Sequence, residues 1–334
     1  MAIIQKKKRR PKKGTIEERF VNVKTPFDSI KTTKSLMKAA TKEAVSQFRN
    51  VTIDINGKNG NVVIDGLSTP FKIGTLLGKG GFGSVFELKG SVGDSIVKIV
   101  EFKKSDNYEE WATSVVSEAS LLRVFSVSKV GPTVPPISIG LSSTGKYATL
   151  IMERFDGSFQ DLYDDLQGMG VYDKYKKSFE KQIRKLVNAM VKIGVVCVDL
   201  KPENMLYKQL DNGKFKIVMT DFDNKFCCAM SDSLARKYLV GQKIEIPENG
   251  HWININASVL TERLDDGSTC PRKNRKFNGL VTMMYLGMIG NMTGMFKNES
   301  KKSRQYMSNT SNKGEVVYNM FTHTWNLYKN TFVK

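Results

Sequence analysis

Within Cys197-Val198-Asp199-Leu200-Lys201-Pro202-Glu203-Asn204, three side chains stand at a spacing suited to one reacting phosphate. Asp199 could accept the proton of an attacking hydroxyl, Lys201 could neutralise the transferring phosphoryl group, and Asn204 could hold a metal ion. A further carboxylate, Asp221, follows 17 residues after Asn204, just past the apolar run 215–219. A hard cation such as Mg²⁺ takes oxygen ligands from carboxylate, amide, phosphate and water, so Asn204 and Asp221 are candidates to share one. Asp211-Asn212-Gly213-Lys214 is turn chemistry, and a hairpin of 205–209 with 215–219 would bring the two together.

Upstream, Leu77-Gly78-Lys79-Gly80-Gly81-Phe82-Gly83-Ser84-Val85 is a glycine-rich turn between two strand-like segments. Without Cβ atoms its backbone can approach phosphate oxygens and aim N–H groups at them. Lys98 follows in Ser95-Ile96-Val97-Lys98-Ile99, flanked by apolar residues, so its ammonium is expected in a semi-buried place and needs a counter-charge. Glu118, 20 residues on, is the candidate. Glu109 and Glu110 compete, but they stand at the start of the same predicted helix, where acids complement the dipole.

The elements that would position these groups follow from pattern. Residues 35–48 hold good helix formers behind a serine able to cap them. Two short apolar runs, 51–55 and 61–65, flank Asn56-Gly57-Lys58-Asn59-Gly60, which predicts a hairpin. Residues 71–100 alternate as strands around the glycine cluster. Residues 108–127 carry Trp111, Val115, Ala119, Leu122 and Phe125 at helical spacing. A buried strand is expected at 147–152 and a long helix at 178–193, leading into the Asp199 segment. Beyond Lys225 the pattern weakens, and helices are expected only around 256–263, 278–295 and 316–328.

Composition limits the partners and the compartment. The net charge of +19 sits at the ends: residues 1–50 carry 14 Lys+Arg against 4 Asp+Glu, residues 270–334 carry 11 against 2, and 51–269 are balanced. Such ends favour an anionic partner, nucleic acid or another polyanion. The cluster Lys6 to Lys13 reads as a nuclear localisation signal, a nucleic-acid contact or a solvated tail. Four cysteines without a spaced framework point to a reducing compartment, and the two histidines leave a zinc site short of ligands. No apolar segment precedes the basic cluster, so no secretory signal is expected and the location is read as intracellular, cytoplasmic or nuclear. The uncharged run 277–296 is long enough to span a bilayer, but its Asn, Thr and Gly content favours a buried helix.

Asp-Leu-Lys-Pro-Glu-Asn closely resembles the catalytic loop of Ser/Thr protein kinases, and roughly residues 70–330 can be laid on that family. Gly78, Gly80, Gly83 and Val85 match its glycine loop, and Lys98 with Glu118 its lysine–glutamate pair. Met152-Glu153-Arg154-Phe155 resembles its hinge, and Asp199, Lys201, Asn204 and Asp221 follow in order. The resemblance implies an α+β, two-lobed protein-kinase-like fold with a small β-rich lobe at about 70–155 and a larger helical lobe at about 156–330. A basic tail (1–34) and a helix-and-hairpin extension (35–69) would precede it. It implies ATP and Mg²⁺ as cofactors and protein substrates as partners. Asp199, Lys201, Lys98 and Glu118 would then be catalytic, and Asn204 and Asp221 would hold the metal. Gly78, Lys79, Gly80, Gly81, Phe82, Gly83, Val85, Ile96, Lys98, Glu153 and Phe155 would bind the nucleotide. Residues 277–295 would lie beneath the catalytic loop, with Asn278 where the family has an anchoring aspartate.

The departures from that pattern are specific. Val198 replaces the usual arginine, Cys197 a histidine that packs under Phe222, Ile96 a small alanine above the adenine, and Asp223 the glycine of Asp-Phe-Gly. The nearest match to Ala-Pro-Glu is Ile246-Pro247-Glu248. The layout looks like the kinases of large DNA viruses. Two rival readings stand beside a protein kinase: a pseudokinase scaffold, motivated by Cys197, Val198 and Asp223, and a small-molecule phosphotransferase of the aminoglycoside/choline kinase type, motivated by Asp223.

Overall fold

The computed structural model describes residues 33–55, 60–64, 71–80, 83–89, 94–103, 107–197, 199, 201–222, 227–229, 242–245, 252–255, 275–310, 321 and 325–326. The basic cluster Lys6 to Lys13, the helix expected at 256–263 and most of that at 316–328 lie outside these residues.

Chain order begins with helix α1 (Thr33–Asn50) and strands β1 (Thr52–Ile55) and β2 (Asn61–Ile64). Strands β3 (Phe71–Gly80), β4 (Gly83–Lys89) and β5 (Ser95–Glu101) follow, then helix α2 (Tyr108–Val127) and strands β6 (Ile139–Ser142) and β7 (Tyr147–Glu153). The seven strands make one sheet in the order β1-β2-β3-β4-β5-β7-β6. Every neighbouring pair is antiparallel except β1 with β6, whose parallel pairing (Thr52↔Leu141, Ile53↔Ser142) closes the sheet into a barrel. Its interior is a small apolar core of Val51, Ile53, Val62, Phe71, Ile73, Leu88, Val97 and Ile151.

Asn107 starts α2 by accepting the Glu109 and Glu110 N–H groups on its side-chain oxygen, at 2.9 and 3.2 Å. Those two acids thus serve the helix start, which leaves the role facing Lys98 to Glu118. The helix is buried along 14 of its 20 residues, including Glu118 and Arg123. A helix with one wet face would not be, and the cover is supplied by α1, laid along it.

The second lobe starts with β8 (Gly157–Ser158), α3 (Phe159–Gly168), α4 (Tyr172–Ile193) and β9 (Val195–Cys197). A 3₁₀ turn at Pro202–Asn204 leads into β10 (Met205–Gln209), which pairs with β11 (Phe215–Met219) as the turn residues foretell. Then come β12 (Cys227–Ala229), β13 (Gln242–Glu245), β14 (Trp252–Ile255), α5 (Arg275–Thr293) and α6 (Lys297–Asn309). The β-rich first lobe and helix-dominated second lobe are the two-lobed arrangement expected. Among the described residues no helix is long and apolar enough to cross a membrane. The uncharged run instead forms α5, with Val281, Met284, Tyr285, Leu286, Met288 and Ile289 fully buried.

Helix α6 has no counterpart in the sequence expectations, and its packing says why. Its buried face is Ser300, Ser303 and Met307, so it carries almost no apolar stripe. It docks because α5 offers Gly287 and Gly290, where a Cβ would come within 2.4 Å of Ser303 Oγ and 2.2 Å of Ser300 Oγ. The contact is backbone against hydroxyl, which hydrophobic periodicity does not register.

The cysteines correct a second expectation. Cys197 and Cys227 stand opposite each other on the antiparallel pair β9–β12 and form a disulfide. Thirty residues apart, they are joined by strand register, which no Cys spacing displays. The inference from the cysteines to a reducing compartment therefore loses its basis.

Candidate active site

The segment after β9 is held as one hydrogen-bonded unit. Asp199 Oδ2 accepts from Lys201 Nζ and from Asn204 Nδ2, both at 2.9 Å, and Asn204 Nδ2 also donates to the Asp199 carbonyl at 2.8 Å. Asp199 and Lys201 are partly buried, and Asn204 is buried at 9% exposure. Because the Asn204 amide donates to Asp199, its oxygen remains as the electron-pair donor for a cation. Val198 and Leu200 lie outside the described residues.

The hairpin β10–β11 delivers Asp221 to this unit. Met205 pairs with Met219, the Thr220 N–H donates to the Asn204 carbonyl at 2.9 Å, and the Met219 N–H donates to the Val130 carbonyl at 2.8 Å. Asp221 has φ +62°, a left-handed conformation that aspartate tolerates better than most residues. The next residue locks it: Phe222 is buried and stacks on Phe125 of α2, with ring centroids 4.3 Å apart. Asp223 lies outside the described residues.

Lys98 spans the two lobes. Its ammonium donates to Glu118 Oε1 at 2.6 Å and lies 3.9 Å from Asp221 Oδ1. The Lys98 and Glu118 side chains are 12% and 11% exposed, so the pair sits in a medium that strengthens it. Burial raises the Asp221 carboxyl above the ordinary aspartate value. Lys98 and Lys201 oppose the rise, and the carboxylates Glu118 and Asp199 add to it. Three acids converge here with two lysines, and a divalent cation would relieve their repulsion. No group of three or more His, Cys, Asp or Glu side chains among the described residues could hold a metal alone. Asn204 and Asp221 supply two oxygens, which suits Mg²⁺, an ion that keeps water and phosphate in its remaining positions.

The glycine turn joins β3 to β4 with Gly78↔Val85, Lys79↔Ser84 and Gly80↔Gly83 in register, and Gly81 and Phe82 lie outside the described residues. Gly83 is demanded by the fold: φ is +143° and a Cβ would lie 2.5 Å from the Ile99 carbonyl oxygen. Gly78 and Gly80 are not, since a Cβ there meets nothing within 4 Å. A ligand approaching the backbone is what could require them. Val85 stands across from Lys98, and buried Ile96 stands across from Met152.

Two expected nucleotide contacts are engaged elsewhere. Glu153 pairs with Lys208 at 3.1 Å and Lys216 at 3.2 Å on the β10–β11 hairpin, tying the lobes together. Burial alone would raise its carboxyl, but the two lysines outweigh this and hold it below the ordinary glutamate value. The Phe155 ring is buried with the same two ammonium groups 6.0 and 5.2 Å from its centroid. What these residues could offer an adenine is backbone.

Helix α5 does run beneath the Asp199 segment, but the anchor is Tyr285, whose hydroxyl donates to the Cys197 carbonyl. Asn278 instead lines a cleft of about 450 Å³ beside Asn188, Val191 and Lys192, and its Oδ1 finds no partner among the described residues. Tyr285 and Arg123 were missed in the sequence, and Phe125 was read only as part of an apolar helix stripe. The legible signals were a phenolic hydroxyl in the apolar stretch 281–289 and a charge inside Leu121-Leu122-Arg123-Val124-Phe125.

A family model described as protein kinase domain matches residues 71–242, just over half of the chain. The match opens at β3 and closes at the start of β13, and so spans every group described above except Tyr285, Asn278 and their helix α5.

Proposed function

Because the chain belongs to the protein kinase family, we propose that it transfers the γ-phosphoryl group of ATP, with Mg²⁺, to Ser or Thr hydroxyls of protein substrates. One observation carries this reading: Lys98 lies 2.6 Å from Glu118 and 3.9 Å from Asp221, while the Thr220 N–H donates to the Asn204 carbonyl at 2.9 Å, so groups from both lobes converge on one spot. Asp199, fixed by Lys201 and Asn204, orients the substrate hydroxyl and receives its proton. Lys98, held by Glu118, aligns the α- and β-phosphates. Lys201 counters charge on the transferring group, a lysine that fits Ser/Thr rather than Tyr transfer by family resemblance. Asn204 and Asp221 would hold the metal, which when bound neutralises phosphate charge. The turn Gly78, Lys79, Gly80, Gly81, Phe82 and Gly83 covers the phosphates, while Val85, Ile96 and the backbone at Glu153 and Phe155 bound the base. Catalysis is positioning plus charge neutralisation.

Val198 removes the arginine that would clamp an activation-segment phosphate, so activity should not require that phosphorylation. The kinase unit is proposed to run over about 70–330, and the basic ends to contact a polyanion.

The test is a transfer assay with radiolabelled ATP and Mg²⁺ against Ser, Thr and Tyr peptides, generic basic and acidic proteins, aminoglycosides and choline. Label on Ser or Thr, retained after phosphatase pretreatment of the enzyme, is the expected result. Label only on the small molecules would replace the reading with the small-molecule phosphotransferase that Asp223 favours. ATP binding without transfer would replace it with a scaffold.

A further inference from the structure

Helix α2 carries Glu118, so the Lys98 contact lasts only as long as α2 keeps its angle to the sheet. Five residues on, the same helix buries Arg123, at 5% exposure. That guanidinium forks onto Glu43 of α1, with Nε 2.9 Å from Oε2 and Nη2 3.3 Å from Oε1, and its Nη1 donates to the Val134 carbonyl at 3.0 Å. One turn further along α1, the Gln47 side-chain oxygen accepts the Ser138 and Ile139 N–H groups at 2.9 and 3.2 Å, while its amide donates to the Pro136 carbonyl. Glu43 therefore grips α2 itself, and Gln47 grips the connection from α2 to β6.

Apolar packing seats the same helix: Met37, Ala40, Ala44, Val45 and Phe48 are buried, and the Phe48 ring lies 6.1 Å from that of Trp111 on α2. Past its end the Val51 carbonyl accepts the Leu141 N–H at 3.0 Å, and β1 pairs with β6. All of α1, β1 and β2 precede residue 71, where the family match begins.

We propose that α1 is a built-in positioning element for the nucleotide lysine: Glu43 and Gln47 hold α2 so that Glu118 stays against Lys98. This rests on the kinase reading above. A buried pair of this kind does not add much stability of its own. Burial pushes the Glu43 carboxyl up and the Arg123 guanidinium down, each against the partner's attraction. What the pair does supply is direction, since the two-pronged fork admits one orientation of α2.

The experiment uses the full chain and compares Glu43→Ala, Glu43→Gln and Gln47→Ala, each alone and combined with Glu118→Gln. At saturating ATP, Glu43→Ala should lower kcat at least tenfold while the KM for ATP changes less than threefold. Glu43→Gln, which keeps one prong, should lose less. In the Glu118→Gln background none of the three should lower kcat further, because the ion pair they protect is already lost. Amide exchange in 108–127 should rise in Glu43→Ala, and this readout stands even if no substrate is phosphorylated, which separates failure of the kinase reading from failure of the clamp. Unchanged kcat, losses that add to that of Glu118→Gln, or unchanged exchange in α2 would each overturn the proposal.

Discussion

Tyr285→Phe removes one oxygen from a fully buried ring and leaves its shape intact. The phenol donates to the Cys197 carbonyl, two residues before Asp199. Burial raises its ionisation well above the ordinary tyrosine value, so it stays a donor at every working pH. Deleting a donor and stranding a buried acceptor costs about 1–3 kcal/mol. If that cost falls on the loop alone, kcat drops by about 5- to 150-fold, at roughly 1.4 kcal/mol per factor of ten. If it falls on the whole lobe, the unfolding free energy drops by the same amount, the urea midpoint falls by that amount divided by the m-value, and kcat moves little. Asn278→Ala is the counterpart: its Oδ1 has no partner among the described residues, so the change should stay within about 0.5 kcal/mol and leave kcat untouched. Urea unfolding and phosphoryl transfer measured side by side distinguish these results. A Tyr285→Phe protein equal to the parent in both, beside an impaired Asn278→Ala, would refute the assignment of the anchor.

Three further outcomes are expected. Gly80→Ala should keep the parent Tm and raise the KM for ATP, whereas Gly83→Ala should lower Tm, because only the second Cβ meets protein backbone; equal Tm losses would contradict this. The Glu153 carboxyl is depressed in the fold, so its ties to Lys208 and Lys216 stabilise fully above the unfolded value near 4.5 and fade as pH falls through the lower folded value. The Tm gap between the parent and Glu153→Gln should therefore be present at pH 7 and close in acid; a gap that widened in acid would reverse the sign. Dithiothreitol should destabilise the parent by about 3–4 kcal/mol, the loop-closure value for a 30-residue separation, and leave Cys197→Ser unaffected; thiol titration finding Cys197 and Cys227 both reactive in the untreated, denatured protein would deny the bond.

How far the sequence carries depends on what positions each group. The Asp199, Lys201 and Asn204 unit is legible because it is local, with all its bonds within five residues. The meeting of Asn204 with Asp221 was legible because a five-residue connection with turn chemistry at 211–214 joins two short strands of equal length. Glu118 could be chosen over Glu109 and Glu110 because helix starts attract acids, and Asn107 does cap that end. Contacts made by register or by small residues were illegible. The Cys197–Cys227 bond needs the β9–β12 alignment, the Glu43–Arg123 fork links residues 80 apart, and α6 docks serines on glycines. Reading Asn278 by family position failed for another reason: its Oδ1 takes no hydrogen bond among the described residues, and the contact from this helix to the Asp199 segment comes from Tyr285, seven residues further along.

The central claim is that Asp199 receives the proton of a Ser or Thr hydroxyl while Lys98, Lys201 and a metal on Asn204 and Asp221 meet the phosphate charge. Its most direct test is γ-phosphoryl transfer by Asp199→Ala beside the parent, with folding and ATP binding verified in both. The account predicts Ser/Thr labelling by the parent and a loss of at least a hundredfold in the variant, with ATP still bound. Labelling that persists in Asp199→Ala would contradict it.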